Sequence, residues 1–254
     1  MGRPTLTIVV PAFNEARRLP SLLAALAADA ATAADAAGLE LVELFLVDDG
    51  STDATPAILA GEHALSGLTR VITLPANNGK GAAVRAGALS ASGERILMTD
   101  VDLSTPLDDL AALSAAVEAG AALAIGSRSI AGSDVARPQP RHRELMGKTF
   151  NLLLRLGTGI PWRDTQCGFK LFRTEATRPL FELQRVNGFA FDAELCVHAR
   201  RLGLTVTEVP VRWFDNRDTR VHLIGSSTRM LLDLVGIAWR AHRPLAADRG
   251  DAGR

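Results

Sequence analysis

Arg95-Ile96-Leu97-Met98-Thr99-Asp100-Val101-Asp102-Leu103-Ser104-Thr105-Pro106 is the stretch that decides the fold. A short apolar run leads straight into two carboxylates. Such a run reads as a strand buried on both faces, and it ends at Asp100, where the chain must meet solvent. Asp100 and Asp102 stand two residues apart, so on extended backbone they point the same way. Thr105 has the character of a helix N-cap, with Pro106 in the first helical position and Asp108 in the third. Carboxylates at the carboxyl end of a buried strand occupy the place where open α/β sheets bind ligands. Two hard oxygen donors suit a divalent cation that holds phosphates. A solvated turn is the plainer reading, and the flanking segments decide between the two.

Those flanks alternate. Residues 5–10, 41–47, 69–74 and 122–125 read as further strands. Leu19, Leu22, Leu23 and Leu26 recur at helical spacing, with Gly38 as the stop. Ser51 or Thr52 can cap a short helix that begins near Asp53 and reaches Gly61. An Ala-rich helix follows Asn77-Asn78-Gly79-Lys80-Gly81 and ends near Gly93, and the helix after Asp102 runs to Gly120. Strand and helix in turn, joined by short loops, predict an α/β fold with a mostly parallel sheet flanked by helices. Every polar cluster falls just after a strand. That places Asn14, Glu15, Asp48, Asp49, Asn78, Lys80, Asp100 and Asp102 along one edge of the sheet.

After Gly126 the pattern changes. Residues 127–140 read as one long polar loop, a kind that is usually functional or mobile. Helices are expected at 143–156, 191–202 and 227–240, strands at 165–172 and 205–213, and a disordered tail beyond Pro244. Residues 228–239 are apolar nearly all round except Asp233. At 1.5 Å per residue they span about 18 Å, too short to cross a bilayer. The segment is either a buried core helix or a helix lying in a membrane interface, with Trp239 and Arg229, Arg240, His242 and Arg243 at the headgroups.

The chain has 254 residues, 47% of them hydrophobic and 22% charged, which suits a globular α/β protein. A formal net charge of zero conceals a division. Residues 1–126 carry 7 Lys/Arg against 15 Asp/Glu, and residues 127–254 carry 21 against 13. The acidic half suits metal; the basic half suits phosphates or an anionic membrane surface. No nucleic-acid motif is present, so nucleic acid is not an expected partner. Cys167 and Cys196 are too few for a disulfide framework or a zinc site and read as packing residues in a reducing compartment. No signal peptide and no apolar run of about 18 residues is visible.

Taken in order, Val10-Pro11-Ala12-Phe13-Asn14-Glu15, Val47-Asp48-Asp49-Gly50-Ser51-Thr52-Asp53, Asn78-Gly79-Lys80-Gly81 and Asp100-Val101-Asp102 resemble the signatures of inverting family 2 glycosyltransferases of GT-A fold. Asp164-Thr165-Gln166-Cys167-Gly168-Phe169-Lys170 and Phe191-Asp192-Ala193-Glu194 resemble the subgroup that moves a sugar onto a polyprenyl phosphate, in particular the dolichyl-phosphate β-glucosyltransferases. The resemblance spans residues 5 to about 235 and implies one glycosyltransferase domain over 1–244, with a nucleotide-sugar and metal half at 5–126, an acceptor half at 127–244 and a tail at 245–254. It also implies a hexose, glucose first, carried by a nucleotide sugar (UDP-glucose, with GDP-mannose as the other donor) to polyprenyl phosphate with inversion.

By the same resemblance, Pro11, Ala12, Asn14, Glu15, Asp48 and Asp49 grip base and ribose. Asp100 and Asp102 hold Mg²⁺ or Mn²⁺ against the diphosphate, Asp102 foremost, and Asp100 also lines the nucleotide site. Mannosyl relatives often place Gln two residues after the second aspartate; Ser104 stands here, which fits the glucosyl branch. Lys80 contacts base, ribose or phosphate. Arg128 and Arg143 bind the acceptor phosphate through their guanidinium forks, with Arg137, Arg141 and Lys148 nearby; a solvated basic face is the alternative. Asp192 stands where the family keeps its catalytic carboxylate. A phosphate monoester needs a base less than an alcohol does, since it is already largely dianionic at neutral pH. Asp192 is therefore expected to orient substrate or to cap its helix. Gln166, Lys170 and Glu194 line the sugar and acceptor site. A cytoplasmic location, either free or peripheral on the cytoplasmic face of the membrane, is expected. Two other readings stay open: a family 2 transferase with a saccharide or other soluble acceptor, and a nucleotide-sugar-binding protein without catalysis. The missing Q-x-x-R-W disfavours a processive synthase, and the lack of a glycine-rich turn after the first strand disfavours a dehydrogenase.

Overall fold

The computed structural model describes residues 2–61, 65, 67–137, 141–214 and 223–243, with the backbone alone at 137, 141–144 and 223–228. The amino-terminal part alternates as expected: β1 (Thr5–Ala12), α1 (Leu19–Ala36), β2 (Glu40–Asp48), α2 (Thr55–Leu59), β3 (Thr69–Thr73), α3 (Lys80–Ser90), β4 (Arg95–Met98), α4 (Leu110–Glu118) and β5 (Leu123–Ser127). Beyond it come β6 (Asp134–Arg137), α5 (Arg141–Thr158), β7 (Lys170–Arg173), α6 (Thr174–Leu183), α7 (Phe191–Arg201), β8 (Val206–Pro210), β9 (Arg212–Phe214) and α8 (Leu223–Ala241).

Seven strands form one sheet in the order β3-β2-β1-β4-β7-β5-β8, and β6 pairs with β9 in a separate ribbon. β1 runs parallel to β2 and β4, and β2 parallel to β3. β7 alone is antiparallel, with Met98 opposite Lys170 on one side and Ile125 opposite Lys170 on the other. This one reversal positions the site. An antiparallel strand begins at the edge where its neighbours end, so residues 164–169 arrive beside the carboxyl ends of β4 and β5.

Helices cover both faces, because the strands are apolar on both. α1 and α4 bury Leu19, Leu22, Leu26, Leu110, Leu113 and Val117 on one side. On the other, α3 and α7 lie against the sheet with Val84 and Phe191, and α5 and α8 contribute Phe150, Leu154, Leu234 and Ile237 to the same core. α3 approaches β1 and β2 through Gly87: a Cβ there would stand 2.5 Å from Val9 Cγ1 and 3.1 Å from Val47 Cγ2.

Several local expectations are corrected. β4 stops at Met98, and residues 100–103 form a turn closed by Leu103 N–H donating to Asp100 O at 3.1 Å. Asp100 and Asp102 therefore do not share a strand face. Thr105 is buried and caps nothing; Pro106 precedes a 3₁₀ turn at Leu107–Asp109 that leads into α4. α2 starts at Thr55, whose N–H is met by Asp53 Oδ1 at 2.8 Å, so neither Ser51 nor Thr52 is its cap. The loop expected at 127–140 contains β6, and the last strand divides into β8 and β9, which belong to different sheets. Residues 244–254, including the expected tail, lie outside the described residues.

Glu43 is a buried acid within β2. It accepts from Thr7 Oγ1 at 3.0 Å and from Ser92 N–H at 2.9 Å. Burial pushes its carboxyl up, but the Ser92 and Thr7 bonds and the Arg70 charge outweigh it and hold the group below its ordinary 4.5. A depressed carboxyl stabilises the fold fully above the unfolded value and loses that contribution as pH falls through the folded one. Glu43→Gln should therefore show a flatter fall of unfolding free energy below pH 4.5 than wild type in urea titrations taken at a series of pH values. Gly87→Ala overpacks the α3–sheet contact and should cost about 1–3 kcal/mol by the same measurement.

Candidate active site

The carboxyl ends of β1, β2 and β4 and the start of β7 converge on one edge. The loops after β1 and β2 are clasped together. Asn14, at φ 54°, accepts from Thr52 N–H at 2.8 Å and Asp53 N–H at 3.3 Å through Oδ1, and its own N–H donates to Ser51 Oγ at 2.8 Å. Glu15 N–H donates to Thr55 Oγ1 at 2.8 Å. Asn14 thus builds the loop, and the Glu15 side chain holds Arg18, with Arg18 Nε at 2.6 Å from Oε2. Pro11 and Ala12 close β1 beside them, and Asp49 N–H donates to Ala12 O at 2.8 Å.

The two acids after β2 differ. Asp49 accepts from Asn78 N–H at 2.9 Å and Gly79 N–H at 2.7 Å, so both its oxygens pin the turn before α3. Burial pushes its carboxyl up despite these bonds. Asp48 accepts from Ser51 N–H at 3.0 Å through Oδ1, while its buried Oδ2 has no partner among the described residues. A buried acceptor left open is rare in folded proteins and calls for a donor from outside the chain.

Gly79 and Gly81 flank Lys80, and glycines there could let a ligand approach the backbone closely. The close neighbour is instead the protein's own loop before α7. A Cβ on Gly79 would lie 2.4 Å from Asn187 O, and one on Gly81 2.7 Å from Val186 O. This packing aims Lys80 at the acidic turn, with Nζ 2.7 Å from Asp100 Oδ1. Burial draws the Lys80 ammonium down, but the charges of Asp100, Asp192 and Asp102 raise it above its ordinary value. Asp102 takes Ser104 N–H on Oδ1 at 3.0 Å, and its Oδ2 lies 3.9 Å from Arg18. Burial and the Asp100 charge push the Asp102 carboxyl up. Leu103, at φ 44°, holds a left-handed backbone directly after Asp102. Such strain costs on the order of 1–3 kcal/mol and gathers at functional turns.

Residues 164–170 close the other side. A Cβ on Gly168 would stand 2.0 Å from Asp100 Oδ2, so only glycine lets Asp100 keep its place. Lys170 is fully buried, with Nζ at 2.5 Å from both Asp192 Oδ1 and Cys167 O. Burial pushes the Asp192 carboxyl up, against the pull of Lys170 and Lys80. Gln166 lies half-buried in the same turn.

Three expected acceptor-side residues are tied internally. Lys170 is locked in the pair with Asp192. Glu194 accepts from Arg185 N–H and Val186 N–H at 2.8 and 2.7 Å, and from Arg240 at 2.9 Å, so it clamps the loop before α7 to α8. Arg128 meets Asp164 in a two-bond fork, 2.7 Å on each arm, under the Trp213 ring at 5.3 Å. That pairing raises the Arg128 guanidinium further. Arg143 lies in α5, with its side chain outside the described residues. Asp192 is not an N-cap: Ala190 holds that position, and Asp192 is in the first turn of α7. Arg18, Asp164 and Gly168 are the members of this constellation that sequence reasoning passed over. Arg18 was visible only as a basic residue three after Glu15.

The arrangement is an acidic pair bracketed by Lys80 and Arg18, beside an open buried acceptor and a buried ion pair. It suits a nucleoside diphosphate held at a sheet edge. Comparison with known proteins agrees. The Glycosyl transferase family 2 model matches residues 7–181. A dolichyl-phosphate beta-glucosyltransferase of Trichomonas vaginalis is 36% identical over 253 residues, covering 96% of this chain and 74% of that protein. The Homo sapiens protein of the same name is 32% identical over 92% of this chain and 75% of its own length. Glucosyl-3-phosphoglycerate synthase from Mycobacterium tuberculosis, solved with Mn²⁺ and UDP-glucose, superposes with a TM-score of 0.68 at 21% identity over 96% of this chain and 81% of that one, which places the fold among GT-A glycosyltransferases. The chain belongs to glycosyl transferase family 2.

Proposed function

We propose that this chain transfers glucose from UDP-glucose to a polyprenyl phosphate with inversion. The relatives' shared name, dolichyl-phosphate beta-glucosyltransferase, supports the sugar and the polyprenyl phosphate. The observation that carries the reading is the acidic pair Asp100 and Asp102 set between Lys80 and Arg18 at the sheet edge.

A divalent cation fits these residues. Both acids are hard oxygen donors, and the burial and mutual repulsion that push the Asp102 carboxyl up are relieved by a cation between them. Among the described residues no group of three or more His, Cys, Asp or Glu is placed to hold a metal, which leaves the other positions to diphosphate oxygens and water. Bound there, Mg²⁺ or Mn²⁺ would stabilise the departing diphosphate as a Lewis acid.

The chain's own residues do the rest. Asp48 Oδ2 accepts from a base N–H, which suits the imide of uracil. Asp49 keeps the turn that aims Lys80. Lys80 leaves Asp100 when donor arrives and pairs with a phosphate oxygen, and Arg18 neutralises the far side of Asp102. Arg128 keeps Nη1 free of Asp164 and offers it to the acceptor phosphate, held in orientation by Asp164 and Trp213. The acceptor oxygen attacks the anomeric carbon as the bond to the diphosphate breaks and its electron pair leaves with UDP. No proton has to move, so the Asp192–Lys170 pair positions rather than abstracts.

Asp48→Asn turns the open acceptor toward a donor. The Kd for UDP by calorimetry should rise about tenfold or more, which is about 1.4 kcal/mol; unchanged affinity removes Asp48 from base recognition. Asp102→Ala should abolish transfer of radiolabelled glucose into the organic phase. The fold should survive, because the change deletes a buried charge and its repulsion with Asp100. Full activity of that variant, or of wild type in EDTA, excludes the metal role. Label that enters a soluble saccharide, and no polyprenyl phosphate, replaces the lipid acceptor with a soluble one.

A further inference from the structure

Glu208 carries more polar contacts than its place in the fold calls for. It stands on β8, an edge strand of the sheet, opposite Ile125 of β5. Glutamate is a poor strand former, so strand propensity does not explain it. Its Oε1 alone takes three hydrogen bonds. Ser127 Oγ donates at 3.0 Å, Arg163 N–H at 3.0 Å and Asp164 N–H at 2.9 Å. One carboxylate oxygen thus joins the end of β5 to the turn that leads into β7. Ser127 and Asp164 are buried, so water is a poor substitute for the acid.

These three donors bracket the Arg128–Asp164 pair. Ser127 Oγ also accepts from Ser129 N–H at 3.3 Å, so the chain on both sides of Arg128 hangs on the hydroxyl that Glu208 holds. Arg128 then meets Asp164 through its own N–H at 2.8 Å and through Nε and Nη2 at 2.7 Å each. A guanidinium is planar and rigid, so once its backbone and two of its nitrogens are fixed the direction of Nη1 follows. That direction depends on where the backbones at 128 and 164 stand, and Glu208 is bonded to both segments. None of its three donors belongs to the acidic pair, to Lys80 or to the loops after β1 and β2. The bonds therefore serve the acceptor side and not the donor side.

We infer that Glu208 is a positioning residue for Arg128, holding Ser127 and Asp164 in the relation in which Arg128 Nη1 faces the acceptor phosphate. The inference rests on the reading of Arg128 under the proposed function and deepens it. Glu208 itself touches no substrate.

Transfer kinetics with UDP-glucose, Mn²⁺ and farnesyl phosphate in detergent test it through a double-mutant cycle. Glu208→Ala should raise the KM for farnesyl phosphate about tenfold or more, since a small misplacement of a binding group is enough for a loss of that size. The Kd for UDP by calorimetry should stay at the wild-type value. Glu208→Gln keeps Oε1 as an acceptor and should recover most of the loss. Arg128→Lys keeps a charge beside Asp164 but has no Nη1, and should raise the same KM about tenfold. Adding Glu208→Ala to Arg128→Lys should then change little, because the two act as one unit. Ser127→Ala removes one of the three bonds with almost no change of volume. It should raise the KM in the same direction, and it carries the cycle if Glu208→Ala does not fold. An unchanged KM in Glu208→Ala and Ser127→Ala, or a full further rise in the Arg128→Lys background, overturns the inference and leaves Arg128 its role. Equal losses of UDP and acceptor binding in Glu208→Ala show a general structural role and also overturn it. An unchanged KM in Arg128→Lys overturns the reading of Arg128 and the inference with it.

Discussion

The ion pair between Lys170 and Asp192 is the contact on which the site depends. Lys170 is the first residue of β7, buried between β4 and β5, and Asp192 is in the first turn of α7. Two charges this far from water are stable only together. Removing either partner strands the other at a cost of about 3–5 kcal/mol, while an apolar pair of the same size would pack as well or better. The pair is therefore poorly explained by stability. It is well explained by placement: it fixes where the antiparallel strand starts relative to α7, and with it the turn at residues 164–169. Cys167 O accepts from the same ammonium, so the backbone of that turn is held by the same charge.

From this follows the chain of charges along the edge. Lys80 faces Asp100 and feels Asp192; Arg18 faces Asp102 and is held by Glu15. Acids and bases alternate, and each is partly buried. Asp100, Asp102 and Asp192 each have a cation close by, in Lys80, Arg18 and Lys170. Under the proposed function, a diphosphate with its metal would exchange one set of partners for another among these residues. Preorganised charges of this kind lower the barrier most when they are in place before the reaction begins.

Much of this was legible in the sequence, and the limits have physical reasons. Alternation of apolar runs with helical spacing yields the parallel core, because those periods reflect burial on each face. The polar clusters after each strand yield the edge. What pattern could not yield is the sheet position of β7: a strand of four residues, Lys-Leu-Phe-Arg, carries no mark of direction or neighbour. Its insertion between β4 and β5 is a long-range pairing. Partnership among polar residues was hidden for the same reason. Asp48 and Asp49 are adjacent and chemically identical, yet one keeps an open oxygen and the other is consumed by the turn at Asn78 and Gly79. The pairings of Glu194 with Arg240 and of Arg128 with Asp164 were equally hidden, because they join residues 46 and 36 positions apart.

The glycines make the same point from the other direction. Gly168 carries no chemistry, but any side chain there would collide with Asp100. Gly79 and Gly81 admit the loop at Val186–Gly188, which carries the chain into α7 and so to Asp192. A motif of small residues thus sets the spacing between two of the acids that Lys80 feels, Asp100 on the turn after β4 and Asp192 on α7. The side chains that would touch substrate are few. Most of the motif residues in this chain act one step back, by deciding where those few can stand.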